Sequence, residues 1–340
     1  MINNCYNPPY TITPVIINLI EQIGQALGKA SVLTSARDLR LRKVNRIQTL
    51  QGSLAIEGNT LTTEQISTIL DGKTVVAPPR EIQEVRNAIK AYDQYPNWNP
   101  TSQADLLKAH KIMTMGLLDV PGQYRNSGVG VMGPSGIIHT APQGKIVPEL
   151  MGNLLAWLKN TDAHPLIKSC VFHYEFEFIH PFADGNGRIG RLWQTLILTK
   201  WNAIFADIPV ESMIHTRQND YYKAFVQSTN DGESTAFIEF MLKTILDEIN
   251  IAFVTPQDNP QDAPQVKKLL ALLAEPMTRQ EILDALQLND RKSMTKRYLK
   301  PALDNSLIEM TVPDKPNSKN QKYQITPKGK LYLSQEGEML

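Results

Sequence analysis

Within this 340-residue chain, one continuous run carries chemistry in its order: His180, Pro181, Phe182, Ala183, Asp184, Gly185, Asn186, Gly187, Arg188, Ile189, Gly190 and Arg191. Two glycines flanking an asparagine allow a loop whose backbone takes positive φ and turns its N–H groups inward as an anion nest. A helix-forming stretch follows at once, so the unpaired N–H groups and the positive dipole end of a helix meet the loop. His180 titrates near neutrality and is suited to taking up a proton. Asp184 offers a carboxylate to a hard cation such as Mg2+. Arg188 and Arg191, three apart, fall on one helical face from which both guanidiniums reach phosphate oxygens. The run reads as a phosphate grip with a base beside it.

Such a loop needs rigid elements on both sides, and the apolar pattern supplies them. His164 to Ile179 is long, apolar and aromatic and predicts a buried central helix, and Arg188 to Trp201 predicts a second. Before them, helices are expected from Pro14, over Ser35–Glu57, Leu61–Leu70, Arg80–Tyr95, Ser102–Met115 and Val147–Leu158. After them come Arg217–Ser228 and Thr235–Ala252. Gly58-Asn59 ends the Ser35–Glu57 helix as a C-cap. The glycine-rich stretch Pro121 to Gly144 breaks the helical pattern, and Val129–Met132 with Ile137–Thr140 around Gly133-Pro134-Ser135-Gly136 predicts a hairpin.

Composition bounds the class. Apolar residues at 42% and charged residues at 20% fit a folded globular chain long enough for more than one domain. A net charge of +1 gives no reason to expect the whole chain to bind nucleic acid, and Cys5 and Cys170 are too few and too far apart for a disulfide framework or a zinc knuckle. There is neither a leader-like basic-then-apolar N-terminus nor an apolar run of membrane-spanning length, so the expectation is a cytoplasmic protein with no membrane partner.

The run His180 to Arg191 resembles, position by position, the HPFx(D/E)GNGRxxR motif of the Fic-domain family, whose members transfer a nucleotide monophosphate, usually AMP from ATP, onto a hydroxyl of a target protein. The resemblance extends over most of residues 40–250. Pro121-Gly122-Gln123-Tyr124-Arg125 and the hairpin after it are similar to the family's target-docking flap, with Ile138, His139 and Thr140 on its edge. Ser53-Leu54-Ala55-Ile56-Glu57-Gly58-Asn59 resembles the family's (S/T)xxxE(G/N) inhibitory motif, carried on a helix at about 40–59. The resemblance implies a mostly α fold: a Fic helical core with a small hairpin flap, followed by a winged-helix domain. It also implies roles. His180 is the general base, Asp184 holds Mg2+, and Gly185, Asn186 and Gly187 cradle the α-phosphate. Arg188 takes the β-phosphate and Arg191 the γ-phosphate, with Ile189 and Gly190 completing the nucleotide loop. Asn230 and Tyr222 lie on the adenine side. Glu57, with Ser53, pairs with Arg191 and denies the γ-phosphate its partner.

The expected organisation is 1–110 N-terminal helical region, 111–254 Fic core, 255–264 linker and 265–340 winged-helix domain. Residues 265–330 hold 13 Lys and Arg against 7 Asp and Glu, a net of +6. Arg291, Lys292, Lys296 and Arg297 populate the third helix there, where a winged helix meets a DNA groove, although such modules also dock proteins or form homodimers. Ordinary roles stand beside the sharp ones: His180 as a hydrogen-bonded structural histidine, Asp184 as a helix cap, Glu57 as a plain helix-end carboxylate. The functional expectation is an autoinhibited, Mg-ATP-dependent protein adenylyltransferase acting on a Ser, Thr or Tyr hydroxyl. The alternatives are an enzyme mainly removing AMP and a DNA-binding regulator linked to a Fic unit.

Overall fold

The structure, a computed structural model, describes residues 6–34, 39–133, 136–254, 264–273, 275–286, 288, 290–304, 307–312, 321–326 and 329. The chain divides into two compact units, Met1–Ala252 and Phe253–Leu340. Among the described residues no helix is long and apolar enough to cross a membrane.

The first unit is helical: α1 (Pro14–Thr34), α2 (Leu39–Ala55), α3 (Thr63–Leu70), α4 (Pro79–Gln94) and α5 (Gln103–Met113) precede a hairpin of β1 (Gly130–Gly133) and β2 (Gly136–Thr140). Then come α6 (Val147–Asn160), α7 (Pro165–Ile179), α8 (Asn186–Trp201), α9 (Val210–Thr216), α10 (Gln218–Asp231) and α11 (Thr235–Ile249). Local signals set the boundaries. Proline stands in the first turn of α4, α6 and α7, where its missing N–H has no intrahelical partner to lose. Thr62 and Gln65 form a reciprocal capping box on α3, and Ser102 caps α5.

Helix α7 is the centre. It has no polar face, and Leu166, Val171, Phe172 and Phe176 are fully buried around its circumference, as expected for a helix enclosed by others. It packs against α6, α8 and α11, while α2 lies along α9 and α10 along α11. The proline-broken segment before α1 is strapped across this core: Tyr6 donates to Glu175 (2.6 Å), Ser234 N–H to the Pro9 carbonyl (2.9 Å) and Thr13 to Glu239 (2.6 Å). The hairpin is antiparallel, pairing Val131 with His139 and Gly133 with Gly136. Its turn residues 134 and 135 lie outside the described residues.

Several helix ends differ from expectation by one to three residues, and two departures have a clear local cause. Helix α8 begins at Asn186, two residues before the expected Arg188, because Gly185 adopts φ +84 as its N-cap and commits the next residues to the first turn. Helix α9 and a 3-10 turn at Ala203–Asp207 occupy a segment too short and proline-interrupted to show a helical period.

The second unit comprises α12 (Pro264–Leu272), β3 (Met277–Thr278), α13 (Arg279–Ala285), α14 (Arg291–Met294), α15 (Lys300–Asp304), β4 (Ile308–Met310) and β5 (Lys322–Ile325), with a π-helical turn at Thr295–Leu299 between α14 and α15. The strands form an antiparallel sheet ordered β3-β5-β4. Val266, Leu269, Ile282, Leu299, Leu307 and Tyr323 are buried at its core. Strand β3, two residues long, leaves no alternation in the sequence. The expected linker 255–264, except Pro264, lies outside the described residues. So do the side chains of Arg291, Lys292, Lys296 and Arg297.

Candidate active site

A cavity of about 240 Å³ opens where the α7–α8 loop meets the end of α2 and α10. Glu57, Glu177, His180, Asp184, Gly185, Asn186, Gly187, Arg191 and Tyr222 contribute to its wall. His180 ends α7 in the left-handed region (φ 49, ψ 63), the one non-glycine residue with positive φ among those described. Such a conformation costs on the order of 1–3 kcal/mol and persists only where its surroundings enforce it. Arg125 enforces it here. Buried to 4% exposure, it donates through Nε to the His180 carbonyl (2.6 Å) and through its other nitrogens to the carbonyls of Ser127, Pro142 and Ile179. Its backbone N–H donates to Pro181 (3.0 Å). One guanidinium thus ties the end of α7 to the hairpin flanks.

Two further side chains close the loop. The Asn186 amide accepts from Phe182 N–H and donates to the Phe182 carbonyl, both at 2.8 Å. Its side chain thus bonds to the loop's own backbone, and the residue also lines the cavity. His110 stacks on Phe182 with ring centroids 3.7 Å apart and planes within 5°. Gly122 N–H donates to its Nδ1 (2.8 Å), so Nε2 carries the proton and donates to the Asp184 carbonyl (3.0 Å). Burial holds the His110 pKa down to about 4, keeping the ring neutral in this role.

The opposite wall belongs to α2. Its C-terminus is a Schellman turn: Gly58 takes φ 89 and donates to the Ala55 carbonyl, and Asn59 N–H donates to the Leu54 carbonyl. This places Glu57 at the C-cap, where a carboxylate is unfavourable with its own helix dipole. It finds compensation across the cavity. Arg191 donates to Glu57 Oε1 (2.7 Å), to the Ser53 carbonyl (2.9 Å) and to Ser53 Oγ (3.3 Å). A Cβ on Gly187 would overlap Glu57 Oε1, so the carboxylate lies directly on the first turn of α8. The two loop glycines do different work: Gly185 supplies the positive φ, whereas Gly187 supplies room. Among the described residues no side chain caps the N-terminus of α8, and the anion on its first turn is the chain's own Glu57. Burial disfavours the Arg191 charge, but Glu57, Tyr221 and Glu177 together more than offset this and raise its pKa.

The structure does not gather every expected residue here. Arg188 is 3% exposed but does not line the cavity; it pairs with Asp184 (3.2 Å) and Glu84 (3.9 Å). Ile189 is fully buried in the core and does not line the cavity. Gly190 faces Glu177, His173 and Phe176 instead of the cavity. Asn230 is exposed at the far end of α10, away from the cavity wall. On the hairpin, the His139 ring is bonded to the Phe178 carbonyl (2.9 Å) and packs on Phe178, pinning β2 to α7. Ile138 faces a separate groove of about 780 Å³ shared with Tyr222, Lys223, Val226 and Ala236, and Thr140 is exposed.

Four participants escaped the sequence reading. The motif Pro121–Arg125 carries no local signal of what Arg125 does, because its partners lie up to 55 residues away. Glu84 and Arg80 sit on α4, Arg80 donating to Asp184 (3.4 Å) and Asn59 donating to Glu84 (2.9 Å). Glu177 had a visible signal, a carboxylate in an apolar aromatic helix three residues before His180.

Comparison with known proteins agrees with this geometry. A model of the Fic/DOC family matches residues 100–198, and one described as "Filamentation induced by cAMP protein Fic-like, C-terminal domain" matches residues 264–326. A crystal structure of a Fic family protein from Desulfovibrio desulfuricans G20 is 47% identical with a TM-score of 0.73, covering 95% of this chain and 99% of that one. A Fic domain containing signaling protein from Bacteroides thetaiotaomicron, 19% identical with a TM-score of 0.57 over 68% of this chain and 95% of that one, shares the fold. Protein adenylyltransferase Fic of Drosophila yakuba is 28% identical over 240 residues, 67% of this chain and 46% of that protein. The chain therefore spans about half the length of the curated relatives it matches. It belongs to the Fic/DOC family.

Proposed function

We propose that the chain is a protein adenylyltransferase that moves AMP from ATP to a hydroxyl side chain of a target protein and is held in check by Glu57. One observation carries the restraint: the Glu57 carboxylate lies on the first turn of α8 and on Arg191, the place a terminal phosphate would otherwise take. In the reaction, the target hydroxyl oxygen forms a bond to the α-phosphorus while the bond to the pyrophosphate oxygen breaks. His180 Nε2 takes the hydroxyl proton. Burial lowers the His180 pKa to about 4, so the ring is neutral and ready to accept at physiological pH.

Asp184 suits a metal that arrives with the phosphates. Its carboxylate is 38% exposed at the cavity edge, and among the described residues no cluster of three His, Cys, Asp or Glu forms a site of its own; Mg2+ commonly takes one or two carboxylates plus substrate phosphates. When bound, the ion would offset charge on the pyrophosphate. Arg188, freed from Asp184, would add its charge to the same group. The groove beside Ile138 and Tyr222 borders this cavity and offers the target segment an apolar wall next to the hairpin edge.

The test is self-labelling from ATP labelled on the α-phosphate. Glu57→Gly is expected to raise the rate by about 10- to 100-fold, since relieving a misplacement of around 1 Å is worth on the order of 10²-fold. His180→Ala in that background should abolish labelling while ATP still binds. An unchanged rate in Glu57→Gly would overturn the restraint, and label transferred from the γ-phosphate would overturn the reaction.

A further inference from the structure

Glu177 is a cavity residue that neither the loop motif nor the chemistry above uses. It is 5% exposed, on the last turn of α7, with Oε2 3.7 Å from His180 Nδ1 and Oε1 3.9 Å from His173 Nε2. Among the described residues, Glu177 Oε1 and His180 Nδ1 are both buried without a hydrogen-bond partner. The open Oε1 lies on the His173 side and Oε2 is the carboxylate oxygen nearest the open Nδ1; buried polar atoms left without partners in this way are costly unless another state of the site uses them. Gly190 is what admits the carboxylate: a Cβ there would stand 2.5 Å from Glu177 Oε1.

We infer that Glu177 is the positioning residue of the base: its carboxylate accepts from His180 Nδ1–H, fixes the tautomer that leaves Nε2 bare toward the cavity, and stabilises the imidazolium formed when Nε2 takes the hydroxyl proton. The inference rests on the transfer reaction proposed above. The proton balance is closed within the pair, because the proton gained at Nε2 is offset by the carboxylate facing Nδ1, as in nucleophile–base–orienter arrangements generally.

The surroundings make the pair responsive. Facing Glu177 are His173 and His180 from its own helix, Arg191 from α8, Glu57 from the end of α2 and Tyr221 from α10. Burial, with Glu57 adding to it and Arg191 opposing, raises the Glu177 pKa to about 8. Its ionisation therefore lies inside the working range, and phosphates entering where Glu57 sits would keep it there. Transfer should rise with pH as Glu177 ionises and the imidazolium gains its partner.

The experiment uses the full chain carrying Glu57→Gly, with α-labelled ATP, from pH 6 to 9. Its labelling rate is expected to rise toward pH 8. Adding Glu177→Gln should remove that rise and lower the rate at pH 8 by about 10- to 100-fold, within the range general-base assistance supplies, with ATP affinity and melting temperature retained. Glu177→Asp should restore part of the rise. In parallel, His180 ring 15N resonances should show the proton on Nδ1 and a step as Glu177 ionises, absent in Glu177→Gln. A pH rise surviving Glu177→Gln, lost ATP binding as the main effect, or a proton on Nε2 would overturn the inference. Absence of labelling in Glu57→Gly alone would fail the proposed function instead, and the 15N measurement would still decide Glu177.

Discussion

Arg188 and Arg191 are the same residue type one helical turn apart on α8, and both are buried to 3% exposure or less, yet they end in different surroundings. Arg191 meets Glu57, 34% exposed at the cavity, and Ser53, and behind them the buried Glu177 and Glu211 are its electrostatic neighbours. Arg188 faces a wall with an open edge, since Asp184 is 38% exposed, and the Arg80 that reaches across to it from α4 is 65% exposed. A charge pair is worth most where water is excluded from all its members. Arg191 thus has buried carboxylates behind its partly exposed partner, whereas the partners of Arg188 lie nearer the surface.

Denaturation of the full chain puts numbers on the contrast. Arg191→Met leaves buried Glu177 and Glu211 without their cation and should cost the most, on the order of 3–5 kcal/mol. Arg188→Met removes a buried guanidinium whose carboxylate partners can turn to water, and should cost about 1–3 kcal/mol. Arg80→Ala deletes an exposed pair and should move stability by less than about 0.5 kcal/mol. Equal losses at Arg188 and Arg191 would break the comparison. A loss at Arg80 approaching that at Arg188 would mean the α4 edge is more closed than its exposure implies.

The loop itself was legible because its signals are local. Gly185 at positive φ, a helix starting within the motif, and two arginines three apart all follow from residues a few positions from each other. The α2 ending was legible for the same reason: Gly58 at C′ closes a Schellman turn, and a carboxylate at the preceding C-cap demands a cation from elsewhere. Asn186 was harder. An asparagine between glycines reads equally as a ligand or as a loop staple, and only the position of Phe182 four residues back decided for the staple. His139 likewise could face a target or its own chain until Phe178, 39 residues away, took its ring nitrogen.

The amino-acid order determined the helical scaffold, the glycine-flanked loop that follows His180 and the glutamate at the capped end of α2, because backbone propensity, capping and charge spacing act over a few residues. Tertiary structure alone decided which of two equivalent arginines meets Glu57, that Arg125 holds His180 in its left-handed conformation from 55 residues away, and that Glu177 stands beside His180. The Glu57–Arg191 contact joins positions 134 apart. Its strength comes from burial and a shared cavity, which are properties of packing that no spacing along the chain encodes.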